Sequence, residues 1–175
     1  MRISTVTAVL AAATLAAAAG FLAYRTMVEA DASVAAAAEL SQLRLPDLSG
    51  KDQSLAQWRN NILIVNFWAT WCEPCREEIP ALLRVQTAYG SKSVQIVGIA
   101  VDSADKVRKF AHEYRIGYPL LIGGMGVIDL TRKLGNPGGG LPYTVVINSA
   151  GKVVMKHLGR ISEAQLERAI QLASG

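Results

Sequence analysis

The spacing of apolar residues changes several times along the chain, and each change marks an element. Ile62-Leu63-Ile64-Val65-Asn66-Phe67-Trp68 is a run of β-branched and aromatic residues, the pattern of a strand covered on both faces. Val94–Val101 repeats it, and a helix is predicted between the two runs from about Cys72 to Tyr89. Asp102 and Ser103 can cap a following helix, in which Val107, Phe110, Ala111 and Tyr114 recur at the i, i+3, i+4, i+7 spacing of one buried face. Gln42–Leu45 and Tyr118–Ile122 read as short strands, and Val127–Leu134 as a short helix. Pro46–Gly50 is a turn cluster and Gly135–Gly140 a Gly/Pro loop. Tyr143–Asn148 and Lys152–Leu158 flank Ser149-Ala150-Gly151 and predict a hairpin. A last helix opens on Ser162-Glu163-Ala164-Gln165, a capping-box sequence, with Ile161 placed to staple onto Leu166. Strands alternating with helices, then a hairpin and a helix, predict an α/β architecture with a mixed sheet.

The N-terminal pattern is different. Ile3 to Tyr24 carry no charge over 22 residues, between Arg2 and Arg25. As a helix this stretch would be roughly 33 Å long, about the thickness of a bilayer core. Nine of its residues are Ala, so its drive into lipid is modest, roughly −2 to −4 kcal/mol from the strongly apolar side chains. Length favours a signal anchor over residues 1–25, whereas Ala30-Asp31-Ala32 has the small-x-small form of a signal-peptide cleavage site. Either reading sends the rest of the chain out of the cytoplasm. Residues 26–40 are Ala-rich and read as a tether, which Ala can make partly helical. The folded domain is expected over residues 41–175.

Composition removes several alternatives. Hydrophobic residues are 51% of the chain and charged ones 18%, enough apolar material for a core. The net charge of +4 is spread over residues such as Arg76, Arg84, Lys92, Lys106 and Arg132, without the clustered cation stripe that nucleic-acid binding needs.

The chain has two cysteines, three positions apart, in Cys72-Glu73-Pro74-Cys75. A bridge over so short a loop constrains little unfolded-chain entropy, so stability is a poor reason for the pair. Half of a zinc site is the competing reading, but His112 and His157 lack ligand-pair spacing. The position favours redox chemistry, since the pair follows a buried strand and opens a helix. Unpaired N–H groups and the macrodipole there stabilise a thiolate at Cys72. Cys72 would then attack and Cys75, one turn inward, would resolve. Pro74 at the second helical position lacks an N–H that would have been unpaired anyway.

Phe67-Trp68-Ala69-Thr70-Trp71-Cys72-Glu73-Pro74-Cys75-Arg76-Glu77-Glu78-Ile79-Pro80 resembles the active-site segment of the thioredoxin superfamily, and more narrowly of the membrane-tethered TlpA/ResA-like disulfide reductases of bacteria. Gly140-Leu141-Pro142-Tyr143-Thr144 is similar to that family's cis-proline loop. The resemblance spans about residues 40–172 and implies a thioredoxin-like fold: a central mixed β-sheet flanked by helices, with an N-terminal β extension and an αβ insert at about 103–134.

What the resemblance implies for the site is specific. Pro142 would be a cis-proline facing Cys72, the Leu141 backbone would pair with a substrate strand, and Trp71 would help form the docking rim. Thioredoxins carry a buried Asp at the position of Asn66, and an amide cannot take a proton. In the TlpA/ResA-like group a Glu on the first turns of the helix is thought to serve instead, and Glu78 matches it. Spacing agrees, because Cys75 and Glu78 are i and i+3 on one helix face. If half-buried, Glu78 should have a raised pKa and shuttle protons to and from Cys75. Pro80 and the two histidines are expected to be structural.

The expected activity is therefore thiol–disulfide exchange without a cofactor or metal, with protein disulfides as substrates. The resemblance suggests apocytochrome c or copper-site assembly proteins, and re-reduction by a membrane donor of DsbD/CcdA type. The competing functions are a disulfide-donating oxidase or isomerase, and a Cu(I) carrier using the two soft thiolates. No Met- or His-rich tract supports the carrier, since Met125 and Met155 are isolated. A peroxidase would centre on a single cysteine rather than a pair.

Overall fold

In a computed structural model of the chain, residues 2–90 and 93–175 are described, with side chains at all of these except 2–6, 26 and 28–33. Lys92 and the side chains of Ala30-Asp31-Ala32 thus lie outside the described residues. The elements are helices α1 (Arg2–Gln42), α2 (Glu73–Tyr89), α3 (Ala104–Glu113), α4 (Val127–Lys133) and α5 (Glu163–Ser174). The strands are β1 (Arg44–Pro46), β2 (Asp52–Ser54), β3 (Ile62–Trp68), β4 (Val94–Ala100), β5 (Leu120–Ile122), β6 (Tyr143–Ile147) and β7 (Val153–Leu158).

Strand β3 is buried along its whole length and sits at the centre of a five-stranded sheet ordered β5-β4-β3-β6-β7. It runs parallel to β4 and antiparallel to β6, so the sheet is mixed. Alternation divides its side chains between two cores. Ile62, Ile64 and Trp68 join α2, α3 and α5 through Leu82, Phe110 and Leu166. Leu63, Val65 and Phe67 join the end of α1 and α4 through Leu40, Ile128 and Leu134. Asn66 therefore points to the α2 side, in register with Gly98 on β4 and Thr144 on β6.

The expected capping box of α5 is complete, with the Ser162 hydroxyl accepting from Gln165 N and Gln165 Oε1 accepting from Ser162 N. Several boundaries differ from expectation. The strand expected at Gln42–Leu45 starts at Arg44, because α1 continues through Gln42. It pairs with β2, which the polar Asp52-Gln53-Ser54 sequence did not announce. The Asp47 carboxylate organises the turn between them, accepting from Ser49 N at 2.8 Å and Gln53 Nε2 at 2.8 Å. The strand expected at Tyr118 starts at Leu120, after Pro119, which has no N–H to donate to a ladder. Ser103 occupies the N-cap of α3 without a side-chain bond. The Asp102 carboxylate accepts instead from the Thr70 hydroxyl, joining the loops that follow β3 and β4.

The largest correction concerns the tether. Residues 26–40 are helical and continuous with the apolar segment, and Ala36, Ala37 and Leu40 are buried. Glu39 pairs with Lys133 on α4 at 2.8 Å. The packed domain thus begins before Ser41. Two alanines and one leucine suffice because α4 lies close, and alanine gives almost no periodic signal. Over Thr7–Arg25 the same helix is long and apolar enough to cross a membrane.

Candidate functional site

The site lies at the C-terminal end of β3, where the chain turns through Ala69-Thr70-Trp71 into α2. Cys72 N donates to Ala69 O at 3.2 Å, and Cys72 then serves as the N-cap of α2. No side chain caps this end, so the first N–H groups of the helix face the thiol position without a side-chain acceptor. Cys72 and Cys75 form a disulfide with Cα atoms 5.3 Å apart. Cys75 is fully buried, whereas Cys72 keeps 6% of its surface. That is little exposure for the thiol read from the sequence as the attacker. Its access runs through a groove of about 510 Å³, bordered by Trp71, Pro74, Met125, Ile128 and Leu141.

Trp71 is 65% exposed and Met125 75%, so the groove has an apolar rim on both sides. Arg132 is the one cation bordering the groove among the described residues and is paired with Asp129 at 2.6 Å. The Leu141–Pro142 peptide is cis, Leu141 is partly buried and Pro142 is buried. Trp68 lies in the core at 1% exposure, and its indole N–H has no hydrogen-bond partner among the described residues.

Glu78 is the buried acid. It is 1% exposed on α2, one turn beyond Cys75. Its Oε1 accepts from Asn66 Nδ2 at 2.7 Å and its Oε2 from Ile161 N at 2.9 Å. Burial pushes the pKa up to about 7, against the opposing pull of those two donors and the nearby Arg160 charge. Arg160 itself pairs with Glu77, the exposed neighbour, at 2.8 Å. Burial also pushes the Tyr118 phenol up, reinforced by the Glu78 charge, which places Tyr118 beside the same acid.

Asn66 is the part of this network that the sequence reading left without a role. It donates to Glu78 and also to Thr144 Oγ1 at 3.0 Å, so one neutral amide ties α2 to β6. A signal was available: a lone amide inside a wholly apolar strand must find partners when buried. Met125, Ile128 and Arg132 gave no such signal, because only the fold of the insert brings them to the groove. Among the described residues no three His, Cys, Asp or Glu side chains gather as metal ligands.

Residues 36–156 match the model of the AhpC/TSA family. The chain belongs to the AhpC/TSA family. Within it the resemblance is to thioredoxin-like proteins of the ResA kind. The thiol-disulfide oxidoreductase ResA of Bacillus anthracis is 31% identical over 156 residues, covering 87% of each chain. The thioredoxin-like protein YneN of Bacillus subtilis is 29% identical over 157 residues, 87% of this chain and 89% of that one. Among solved structures, a thiol:disulfide interchange protein of the thioredoxin family from Chlorobium tepidum superposes with a TM-score of 0.68. It is 33% identical and covers 76% of this chain and 93% of its own. The mixed sheet with flanking helices is thus the thioredoxin-like fold, and this AhpC/TSA-family chain carries its cysteine pair at the start of α2.

Proposed function

We propose that the chain, a thiol–disulfide oxidoreductase of the ResA kind, reduces protein disulfides outside the cytoplasm while held to the membrane by α1. One observation carries the reading: a cysteine pair at a helix N-terminus without a side-chain cap, backed one turn later by a carboxyl that is 1% exposed, whose pKa burial pushes up. The reduced enzyme offers a Cys72 thiolate, stabilised by the helix N-terminus, to one sulfur of a substrate disulfide. The substrate S–S bond breaks, its leaving thiolate takes a proton, and a Cys72–substrate mixed disulfide forms. The Cys75 thiol gives its proton to the Glu78 carboxylate and attacks Cys72 Sγ. The second substrate thiolate leaves and is protonated, and the Cys72–Cys75 disulfide remains. Two electrons have passed from the dithiol to the substrate.

In this scheme Trp71, Pro74, Leu141 and Pro142 receive the substrate as an extended segment against the Leu141 backbone. The enzyme disulfide is returned to the dithiol by a membrane donor of DsbD/CcdA type, a dithiol carrier that supplies the two electrons. The family likeness makes the haem-attachment cysteines of apocytochrome c and the thiols of copper-site assembly proteins the substrates to try.

The test uses the full chain in detergent. Cys72→Ala should abolish insulin reduction, and Cys75→Ala should accumulate mixed disulfides; trapping by Cys72→Ala instead would reverse the two roles. The equilibrium potential separates reductase from oxidase. A value near or below roughly −270 mV supports reduction, and one towards roughly −120 mV makes the chain a disulfide donor.

A further inference from the structure

We infer that Asn136 is a positioning residue for substrate docking, a buried clamp that fixes Gly140 and thereby places the strand-accepting backbone of Leu141; the inference rests on the reductase reading above. The loop from Gly135 to Gly140 holds four glycines, two of them at positive φ (Gly135 at 102° and Gly139 at 62°). Such a segment has unusual conformational freedom and is by itself a poor platform for a substrate backbone. Yet Gly139, Gly140 and Leu141 border the groove that exposes Cys72, so their placement sets where a substrate disulfide lies relative to the attacking sulfur.

Asn136 restrains this loop from inside. It is 1% exposed, one of the few polar residues buried in the molecule. Its Nδ2 donates to Gly140 O at 2.9 Å and its Oδ1 accepts from Gly140 N at 3.2 Å. The amide therefore occupies both polar groups of the residue before Leu141, as a neighbouring strand would. That orientation alone matches donor to acceptor at both contacts. The Asn136 backbone completes the clamp, with its N–H donating to Thr131 O at 3.0 Å on α4 and its carbonyl accepting from Gly139 N at 2.9 Å. A Cβ at Gly139 would meet Ile128 Cγ2 at 2.8 Å, so the loop lies directly on α4, whose Ile128 also borders the groove. Anchored to the insert helix on one side and to Gly140 on the other, Asn136 carries the position of α4 into the docking edge.

A side chain that only supported the fold would affect every disulfide alike. A docking clamp should matter for a substrate that lies along Gly140–Leu141 and not for a small disulfide that needs only Cys72. The test compares the full chain in detergent with Asn136→Ala and Asn136→Asp. Insulin, with dithiothreitol as recycling reductant, gives steady-state KM and kcat, and DTNB against pre-reduced enzyme in a single turnover is the small disulfide. Asp keeps an acceptor for Gly140 N but, ionised, sets a second acceptor against Gly140 O. The expected result is an insulin KM raised about tenfold, the equivalent of ~1.4 kcal/mol, with kcat and the DTNB rate within about twofold of wild type. An unchanged insulin KM, or equal losses on both substrates, overturns the inference. If neither variant folds, hydrogen exchange on the wild type decides: the Gly140 amide must be protected, and exchange as fast as that of Gly138 overturns the clamp. Wild type that reduces neither substrate removes the reductase reading and this inference with it, whereas wild type active on insulin with variants at its KM removes Asn136 alone.

Discussion

Glu78→Gln separates the chemistry of Glu78 from its packing. In the folded protein the carboxyl titrates at about 7, against an ordinary 4.5, because burial penalises its charge more than Asn66, Ile161 and Arg160 favour it. The unfolded chain therefore loses this proton near 4.5 and the folded chain holds it to about 7. Between the two values the native state binds the extra proton, so stability is greatest below about 4.5 and falls as pH rises through the window. At 1.36 kcal/mol per unit the loss is about 3 kcal/mol, levelling off above 7. Gln has no proton to lose, so the variant should lack this slope. It brings one fixed cost, because an amide that accepts from Asn66 Nδ2 turns its own N–H₂ towards Ile161 N–H. A donor facing a donor costs ~1–3 kcal/mol at every pH and offsets the curve without tilting it. Denaturant unfolding of the oxidised full chain at several pH values from 4 to 8, wild type against variant, measures the difference in slope. Curves that run parallel through the window refute the assignment of a buried, raised carboxyl. Turnover adds a second readout: reduction by the variant should slow about 10²-fold and lose the pH dependence centred near 7.

Two further substitutions examine the surroundings. Leu40→Ala should destabilise the domain by about 2–5 kcal/mol, because Leu40 has no exposed surface and packs with the α4 side of the sheet. A change within about 0.5 kcal/mol of wild type in thermal unfolding would return residues 26–40 to the status of a tether. Asn66→Asp should place a second carboxyl 2.7 Å from Glu78, where two charges cannot coexist. One proton should then stay bound above pH 7, seen as a two-step pH profile of turnover in place of one step; a single unshifted step would show that Asn66 and Glu78 do not interact in solution.

How far each feature was legible depended on where its signal lay. The buried run at Ile62–Trp68, the capping box at Ser162 and the amphipathic face of α3 are local patterns, and each became the expected element, except that Tyr114, expected on that face, caps the end of α3 and is exposed. Cys72 and Cys75 were legible from their spacing at a helix start, whereas Glu78 was picked out by the family resemblance, with which its i, i+3 spacing to Cys75 agrees. Strand β2 was not, since Asp52-Gln53-Ser54 has no apolar alternation and forms only because Asp47 closes the turn beside it. The docking of Leu40 was hidden for another reason. Its partners on α4 lie about 90 positions further on, and the residues just before it, Ala35 to Ala38, are alanines that give almost no periodic signal. The groove's far wall depends on the same long-range packing, so Met125, Ile128 and Arg132 acquired a role only in three dimensions.

The arrangement resolves a conflict between two demands on one site. In the proposed mechanism Cys72 has to meet substrate, while the acid that takes the Cys75 proton has to sit where water does not hold its pKa at the ordinary value. The helix meets the first demand, because its N-terminus brings Cys72 to a groove edge with unpaired N–H groups behind it. The sheet meets the second. Asn66 projects from the wholly buried β3 onto the α2 face and holds Glu78 from below, while Ile161 N holds it from the loop before α5. Both contacts are donors and both favour the anion, so burial alone raises the pKa, and the two effects balance near neutrality. Had the strand carried the carboxyl, the proton would sit on β3 and the helix position would need a neutral residue. With the amide on the strand, the titrating group lies on the helix that also carries Cys75, so in the proposed mechanism proton donor and acceptor share one element.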